Sequence, residues 1–350
     1  MPSVVLVTGV SRYLGSRLAA QLSADPSIVR VIGVDTTPPS KADLAMLGRT
    51  EFMRADIRNP LIAKVIAQAG VETVVHASVT ATPHLAGGRT SMKEMNVIGT
   101  MQLLAACQKS ETVRRLVVKS TTSVYGSSAH DPAVFTEDLP ARRLPSAGYS
   151  KDAVEVEGYV RGFGRRRPDI AVTVLRFANF IGPVIETPLT RYLAMPVVPT
   201  ALGFDPRLQL LHEDDAIEVL RLAATSDRPG VFNVAGEGTL VLSQAIRRAG
   251  RIGLPVPSPA VEFVSRLVRS SGRVDFSPEQ LQFLVYGRQV DITRLKKTFG
   301  YTPRHTTAQA FDDFLTGRPV PAIVSREKVR QAELTIDKFV HAGMGVIGRA

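Results

Sequence analysis

Short apolar, β-branched runs alternate with longer stretches of helical period through the first 180 or so residues. The runs are SVVLVTG, VRVIGVD, EFMRAD, VETVVHAS, VRRLVVKS and IAVTVLRF, and helical patterns lie between them at roughly 13–24, 59–69, 91–110 and 147–163. This alternation predicts parallel strands joined by crossover helices. Near-continuous apolar strands predict burial on both faces, and therefore helices on each side of the sheet. After about residue 182 the pattern loosens into the Pro-rich connections GPVIETP, MPVVPT and LPVPSPA, helical segments near 213–225 and 305–316, and short strands such as VFNVAG. The expected fold is α/β, a doubly wound parallel sheet over residues 1–182 with a smaller C-terminal substrate-binding cap over 183–316, interleaved with the first domain. Residues 317–350 are expected to form a helical tail.

Composition narrows the class. At 350 residues, 44% hydrophobic and 21% charged, the chain has ordinary globular values and length enough for a sizeable core. The single cysteine, Cys107, sits in the apolar helical run MQLLAACQK, which predicts packing rather than a disulfide or a cysteine metal cluster. The histidines are scattered without metal-ligand spacing. The N-terminal MPSVVLVTGVS lacks the features of a signal peptide, and no apolar run is long enough to span a bilayer, so a cytoplasmic protein is expected.

A net charge of +11 raises the question of nucleic acid. The basic clusters Arg165–Arg167 and Arg247, Arg248, Arg251 read as solvated helix faces, because aromatics are 6% of the chain, Trp is absent and no nucleic-acid-binding signature accompanies them. No nucleic-acid partner is expected.

The chemistry starts at SVVLVTGVSRYLGSRLAAQL, a strand, a Gly-bearing turn and a helix. Such a turn aims backbone N–H groups and the positive end of a helix at a phosphate. Gly9 and Gly15 hold the first and third glycine positions of a TGxxGxxG dinucleotide fingerprint, and Arg12 holds the middle one. A Cβ there crowds a pyrophosphate, whereas the guanidinium offers a phosphate clamp. Asp35 closes the second strand, where a carboxylate accepts from ribose hydroxyls and repels the 2′-phosphate of NADP. Asp56 and Ile57 follow the third strand; either they meet an adenine, or Asp56 caps the helix expected near Asn59.

Taken in order, TGVSRYLG, Asp35, ADIRNP, VVHAS, MNVIGTMQLL with Asn96, KSTTSVYG, YSK, LRFANFIGP, LLHEDDA, VFNVAG and VDITRLKKTFGYTP make the chain resemble the extended short-chain dehydrogenase/reductase family from about residue 3 to 316. The branch it resembles is the NAD-dependent epimerase/dehydratase group that includes UDP-glucose 4-epimerases. The resemblance implies a Rossmann-type domain holding NAD through Gly9, Arg12, Tyr13, Leu14, Gly15, Asp35, Asp56, Ile57, Ala77, Ser78 and Lys151, and an oxidoreductase acting on a nucleotide sugar. It places Thr121 at the hydroxyl that polarises the reacting oxygen, Thr122, Tyr125, Asn179, Arg207 and Gln209 on the substrate side, and His212 and Asp215 in structural roles. It also implies a homodimer built on the helices near 91–110 and 147–163, with Met95, Ile98, Leu103 and Ala106 as a compatible apolar stripe.

One position departs from the family. The resemblance makes Lys151 the helix lysine, and four residues before it, where the acid/base Tyr belongs, stands Ala147. Tyr149 is near in sequence, but two helical positions turn a side chain about 200° from Lys151, against about 40° for four positions. Tyr149 serves only if the start of the helix is re-registered. The chain is thus expected to be an enzyme with atypical or impaired catalysis; the alternative is a non-catalytic NAD-binding sensor or scaffold.

Overall fold

The computed structural model describes residues 3–81, 87–141, 144–145, 147–257 and 278–318. The tail predicted over 317–350 falls almost wholly outside these residues.

The chain runs β1 (Ser3–Thr8), α1 (Tyr13–Ala24), β2 (Ile28–Asp35), α2 (Lys41–Met46), β3 (Glu51–Arg54), α3 (Ile62–Gln68) and β4 (Thr73–His76). A nearly continuous helix follows as α4 (Arg89–Lys93), a π-helical turn at Glu94–Ile98, and α5 (Gly99–Lys109), then β5 (Arg115–Thr121), α6 (Gly148–Arg166) and β6 (Ala171–Phe177). After β7 (Asn179–Ile181), α7 (Pro188–Leu193), β8 (Val197–Ala201), β9 (Arg207–Leu208) and β10 (Leu210–His212), the chain returns to the main sheet through α8 (Glu213–Thr225) and β11 (Gly230–Val234). It then forms β12 (Leu240–Val241), α9 (Leu242–Arg248) and β13 (Ile252–Val256), and ends its described part in the helices Pro278–Tyr286 and Thr307–Gly317.

The seven-stranded sheet has the order β11-β6-β5-β4-β1-β2-β3, every neighbour parallel. Strand direction of travel reverses between β1 and β4, and a doubly wound sheet opens its ligand crevice at the carboxyl ends there. Side-chain alternation explains the two cores. Val5, Val7, Val117 and Leu175 pack under Leu14, Leu18, Leu22 of α1 and Ile217, Leu220 of α8. Leu6, Val74, Leu116, Val118 and Val174 pack on the other face under Ile62, Ile66, Leu103, Cys107, Val160 and Phe163. Cys107 is fully buried, and that burial pushes its thiol up to about 12, so the residue packs as a small apolar group.

The cap is a set of short pairs, β7 with β10, β8 with β13 and β9 with β12, around Ile181, Tyr192, Leu193, Leu208, Leu210, Phe311 and Phe314. Cap and sheet are joined at Glu213, the first residue of α8. Its carboxylate accepts from the Tyr13 hydroxyl at 2.7 Å and from the backbone N–H groups of Val184 and Ile185. Among the described residues no helix is long and apolar enough to cross a membrane.

Candidate active site

A cleft of about 760 Å³ lies where β1 and β4 diverge, roofed by the cap. Its floor is the turn after β1. Gly9 has φ +76, and a Cβ there would stand 2.8 Å from Ser78 Cα; a Cβ on Gly15 would meet the Gly9 carbonyl oxygen at 2.1 Å. Only glycine lets this turn close against α1. Arg12, by contrast, holds φ −109 and ψ 155, an extended conformation any residue adopts, so its side chain is carried without backbone strain.

One end of the cleft is lined by Asp35, Thr36, Thr37, Pro38 and Arg58. Asp35 is fixed by accepting from Ser11 N–H at 3.1 Å and Thr36 N–H at 2.8 Å. Arg12, Tyr13, Leu14, Gly15 and Ala77 line the middle. Lys119, Ser120, Thr121 and Tyr149 line the far end, faced from the cap side by Asn179, Phe180, Thr187, Pro188 and Phe283.

Tyr149 sits in the first turn of α6, its phenol near the hydroxyl of Thr121, the last residue of β5. Burial drives its phenol above the ordinary range, while the Thr121 hydroxyl pulls the other way. Thr121 also caps the following turn by accepting from Ser123 N–H at 3.1 Å. Ala147 is the exposed N-cap of α6. Lys151 is not among the cleft-lining residues. Four positions after Tyr149, where a lysine on the same helix face would stand, is the buried Ala153. Among the described residues, the lysine that lines the cleft is Lys119, which the sequence did not single out.

Several expected site residues lie elsewhere, each for a visible reason. Asp56 is held by Arg58 at 2.7 Å and accepts its backbone N–H, and α3 begins at Ile62 rather than near Asn59. Arg58, not Asp56, reaches the cleft. Ile57 is buried against Gly99 in the sheet core. Ser78 turns toward the Thr8 hydroxyl beneath the glycine turn. Thr122 is buried beside Arg288. Tyr125 stacks on Phe135 at 4.6 Å, and its hydroxyl donates to Asn233 Oδ1 and accepts from Arg176. Gln209 spans the backbones of Gly236 and Val290 with its two amide ends, and Arg207 is exposed on β9. These residues make the frame of the site, not its lining.

His212, Asp215 and His305 converge within 4.8 Å, a grouping that needs the fold to bring His305 across. Their atoms are committed to each other and to the chain. Asp215 accepts from the Tyr301 hydroxyl, the backbone of Arg304 and the backbone and ring of His305, while His212 accepts from Asp214 N–H and bonds Asp313. This cluster fastens the helix Thr307–Gly317 to α8.

Comparison with known proteins bears on the same cleft. Residues 5–235 match the family model described as the NAD dependent epimerase/dehydratase family. An uncharacterized protein of Mycobacterium tuberculosis is 54% identical over 332 residues, covering 95% of this chain and 88% of that protein. A putative UDP-arabinose 4-epimerase of Arabidopsis thaliana is 25% identical, covering 87% of this chain and 73% of that protein. Among solved structures, dTDP-glucose 4,6-dehydratase from Bacillus anthracis, in complex with NAD, superposes with a TM-score of 0.68 at 20% identity, covering 90% of this chain and 96% of that one. UDP-glucose 4-epimerase from Thermotoga maritima, with UDP-glucose, gives 0.68 at 19% identity, covering 90% and 98%.

Proposed function

The chain belongs to the NAD dependent epimerase/dehydratase family, and from that premise we propose that it is an NAD-using oxidoreductase acting on a nucleotide sugar, with Thr121 and Tyr149 as its catalytic pair. The observation that carries this reading is that both side chains line the far end of the cleft that the glycine turn floors, near enough for the Thr121 hydroxyl to act on the phenol.

The residues present fit NAD. Gly9 and Gly15 let the turn close tightly against Ser78 and the start of α1, which brings the α1 N-terminus to the cleft, and Asp35 stands at the end of β2 with its orientation fixed. A carboxylate there favours a free ribose hydroxyl over a phosphate. When bound, NAD supplies the hydride acceptor and donor. Tyr149 takes the proton from a substrate hydroxyl and later returns it, and Thr121 orients that hydroxyl. To act as the base, Tyr149 must first release its own proton to solvent, a step that burial opposes and that a nearby positive charge would favour. Asn179 and Thr187, which line the cleft from the cap side, would meet the sugar and exclude water.

The reading is tested by denaturing the purified protein, identifying released small molecules by mass spectrometry, and then screening UDP- and dTDP-sugars for turnover or for the near-ultraviolet absorbance of reduced nicotinamide. Release or binding of NAD with turnover of one such sugar supports it. An NAD-binding protein inert towards every sugar favours a second reading, a non-catalytic sensor, to which the placement of Lys151 outside the cleft and Ala153 behind Tyr149 lends support. We further propose a homodimer: Ile98, Met101 and Tyr159 are exposed on the outer faces of the α4–α6 helices, while Leu103 and Ala106 of the expected stripe are buried under the sheet.

A further inference from the structure

Two cations that repel each other face the cleft, Arg12 at its middle and Lys119 towards its far end. Arg12 comes from the start of α1 and Lys119 from β5, and both line the same space as Gly15, Thr121 and Tyr149. The Lys119 ammonium donates to the carbonyl of Val79, which leaves two N–H groups, and no carboxylate pairs with it among the described residues. Nor does the Arg12 guanidinium form a hydrogen bond or ion pair among them; the negative charge it feels is Asp35, whose oxygens already accept from Ser11 and Thr36.

Strand alternation explains how the lysine comes to be there. Val117, Lys119 and Thr121 share one face of β5, Val117 in the core below and Thr121 at the rim beside Tyr149. Two residues span about 6.6 Å of strand, so the lysine stem starts one pleat below the catalytic pair. A cation in that position, with a second cation near it, holds its charge more readily when an anion lies between them.

We propose that Lys119, rather than Lys151, is the lysine of this site, and that with Arg12 it forms a two-cation seat for the diphosphate of the bound dinucleotide. The inference rests on the dinucleotide reading given above. It also gives the arginine in the middle glycine position a function: a diphosphate between the two cations replaces their repulsion by two attractions. The helix N-terminus of α1 and the two cations then act on the same charge.

The seat predicts proton uptake. In the empty cleft, burial and the Arg12 charge bring Lys119 down to about 7, and an anion beside it must raise that value. The other titratable groups facing Lys119 are His76 on β4 and Tyr149 on α6, with Asp35 beyond Arg12. His76 is held neutral, its ring nitrogens engaged by the hydroxyls of Thr8, Ser78 and Thr100, and Tyr149 keeps its proton. Near neutral pH, Lys119 is therefore the group that changes charge on binding.

The experiment titrates NADH by its fluorescence, and ADP-ribose by calorimetry in buffers of different ionisation heat, from about pH 6 to about pH 9. For the wild type we expect affinity to fall by up to about tenfold per pH unit above about 7, with protons taken up on binding. Lys119→Met is expected to weaken both ligands by at least about tenfold at pH 6.5 and to abolish the pH dependence. Lys119→Arg should keep the affinity while flattening the profile, and Lys151→Met should leave both unchanged. A wild-type profile that is flat and without proton uptake overturns the proposal without recourse to any variant, and so does Lys119→Met binding like the wild type. A wild type that binds neither ligand overturns the dinucleotide reading itself, an outcome distinct from binding that ignores Lys119.

Discussion

Tyr149 in the first turn of α6 and Thr121 at the end of β5 both line the far end of the cleft, whereas Ala147, two residues before Tyr149, is an exposed N-cap. If this pair handles the proton, Tyr149→Phe should lower turnover by about 10²- to 10⁴-fold and leave NADH affinity within about twofold. Ala147→Tyr should restore nothing to that variant, because its side chain begins outside the cleft. Steady-state rates with the sugar found by screening, beside NADH fluorescence titration, check both statements. A Tyr149→Phe enzyme at full rate would remove Tyr149 from the chemistry.

On the proposed reading, Asp35 sets the choice between dinucleotides. Its two oxygens are oriented by Ser11 and Thr36, and Arg12 feels its charge. Asp35→Asn should weaken NADH by roughly 10- to 100-fold, the cost of losing hydrogen bonds to a charged acceptor. It should also tighten NADPH relative to NADH, since the repulsion of the 2′-phosphate goes while the Arg12 charge stays near. Parallel titrations with the two reduced cofactors measure the ratio; an unchanged ratio would place the adenosine ribose away from Asp35.

The legible parts of this protein were those dictated by backbone geometry or by long apolar runs. Gly9, Gly15 and Asp35 announce themselves because a tight turn and a strand end require those residue types at those places. The buried strands read clearly because both of their faces are covered. Helices such as α2, α7 and α9, at six or seven residues, are too short to show a period. Tyr149 hinged on a detail that spacing does not reveal. The 200° between Tyr149 and Lys151 holds, but which of them faces the cleft depends on where α6 starts, and it starts at Gly148 in a left-handed conformation, φ +65. Lys119 was hidden as the end of an apolar strand; the signal was a lysine two residues before Thr121, hence on the same face of β5.

Behind the site, Arg176 and Glu157 form a pair at 2.6 Å whose side chains are 12% and 7% exposed. Glu157 also accepts from the Ser120 hydroxyl, and Arg176 donates to the Tyr125 hydroxyl, so the pair holds β5, α6 and β6 in register beneath Thr121. Removing one partner leaves the other charge buried. Arg176→Met should therefore cost about 3–5 kcal/mol of stability in urea unfolding, far more than breaking the solvent-exposed Arg30–Glu51 pair. Equal costs for the two would mean that water reaches the Arg176–Glu157 pair.

His76 gives stability a pH dependence of known sign. The ring is buried on β4, and burial first, then the Lys119 charge, lower it to about 3 from an unfolded value near 6.5. Between those two values the unfolded chain binds the proton that the folded protein refuses. Stability is therefore fully present above about pH 6.5 and is lost as pH falls below it, at up to about 1.4 kcal/mol per pH unit. Carboxylates in this protein that are held low by partners, such as Asp56, add their loss only at more acid pH. Urea unfolding at about pH 7.5 and about pH 5.5 should thus show a decrease in the wild type that His76→Asn removes. Stability that is level across that interval, or a variant that falls as steeply as the wild type, would show that the ring takes up its proton without unfolding the sheet.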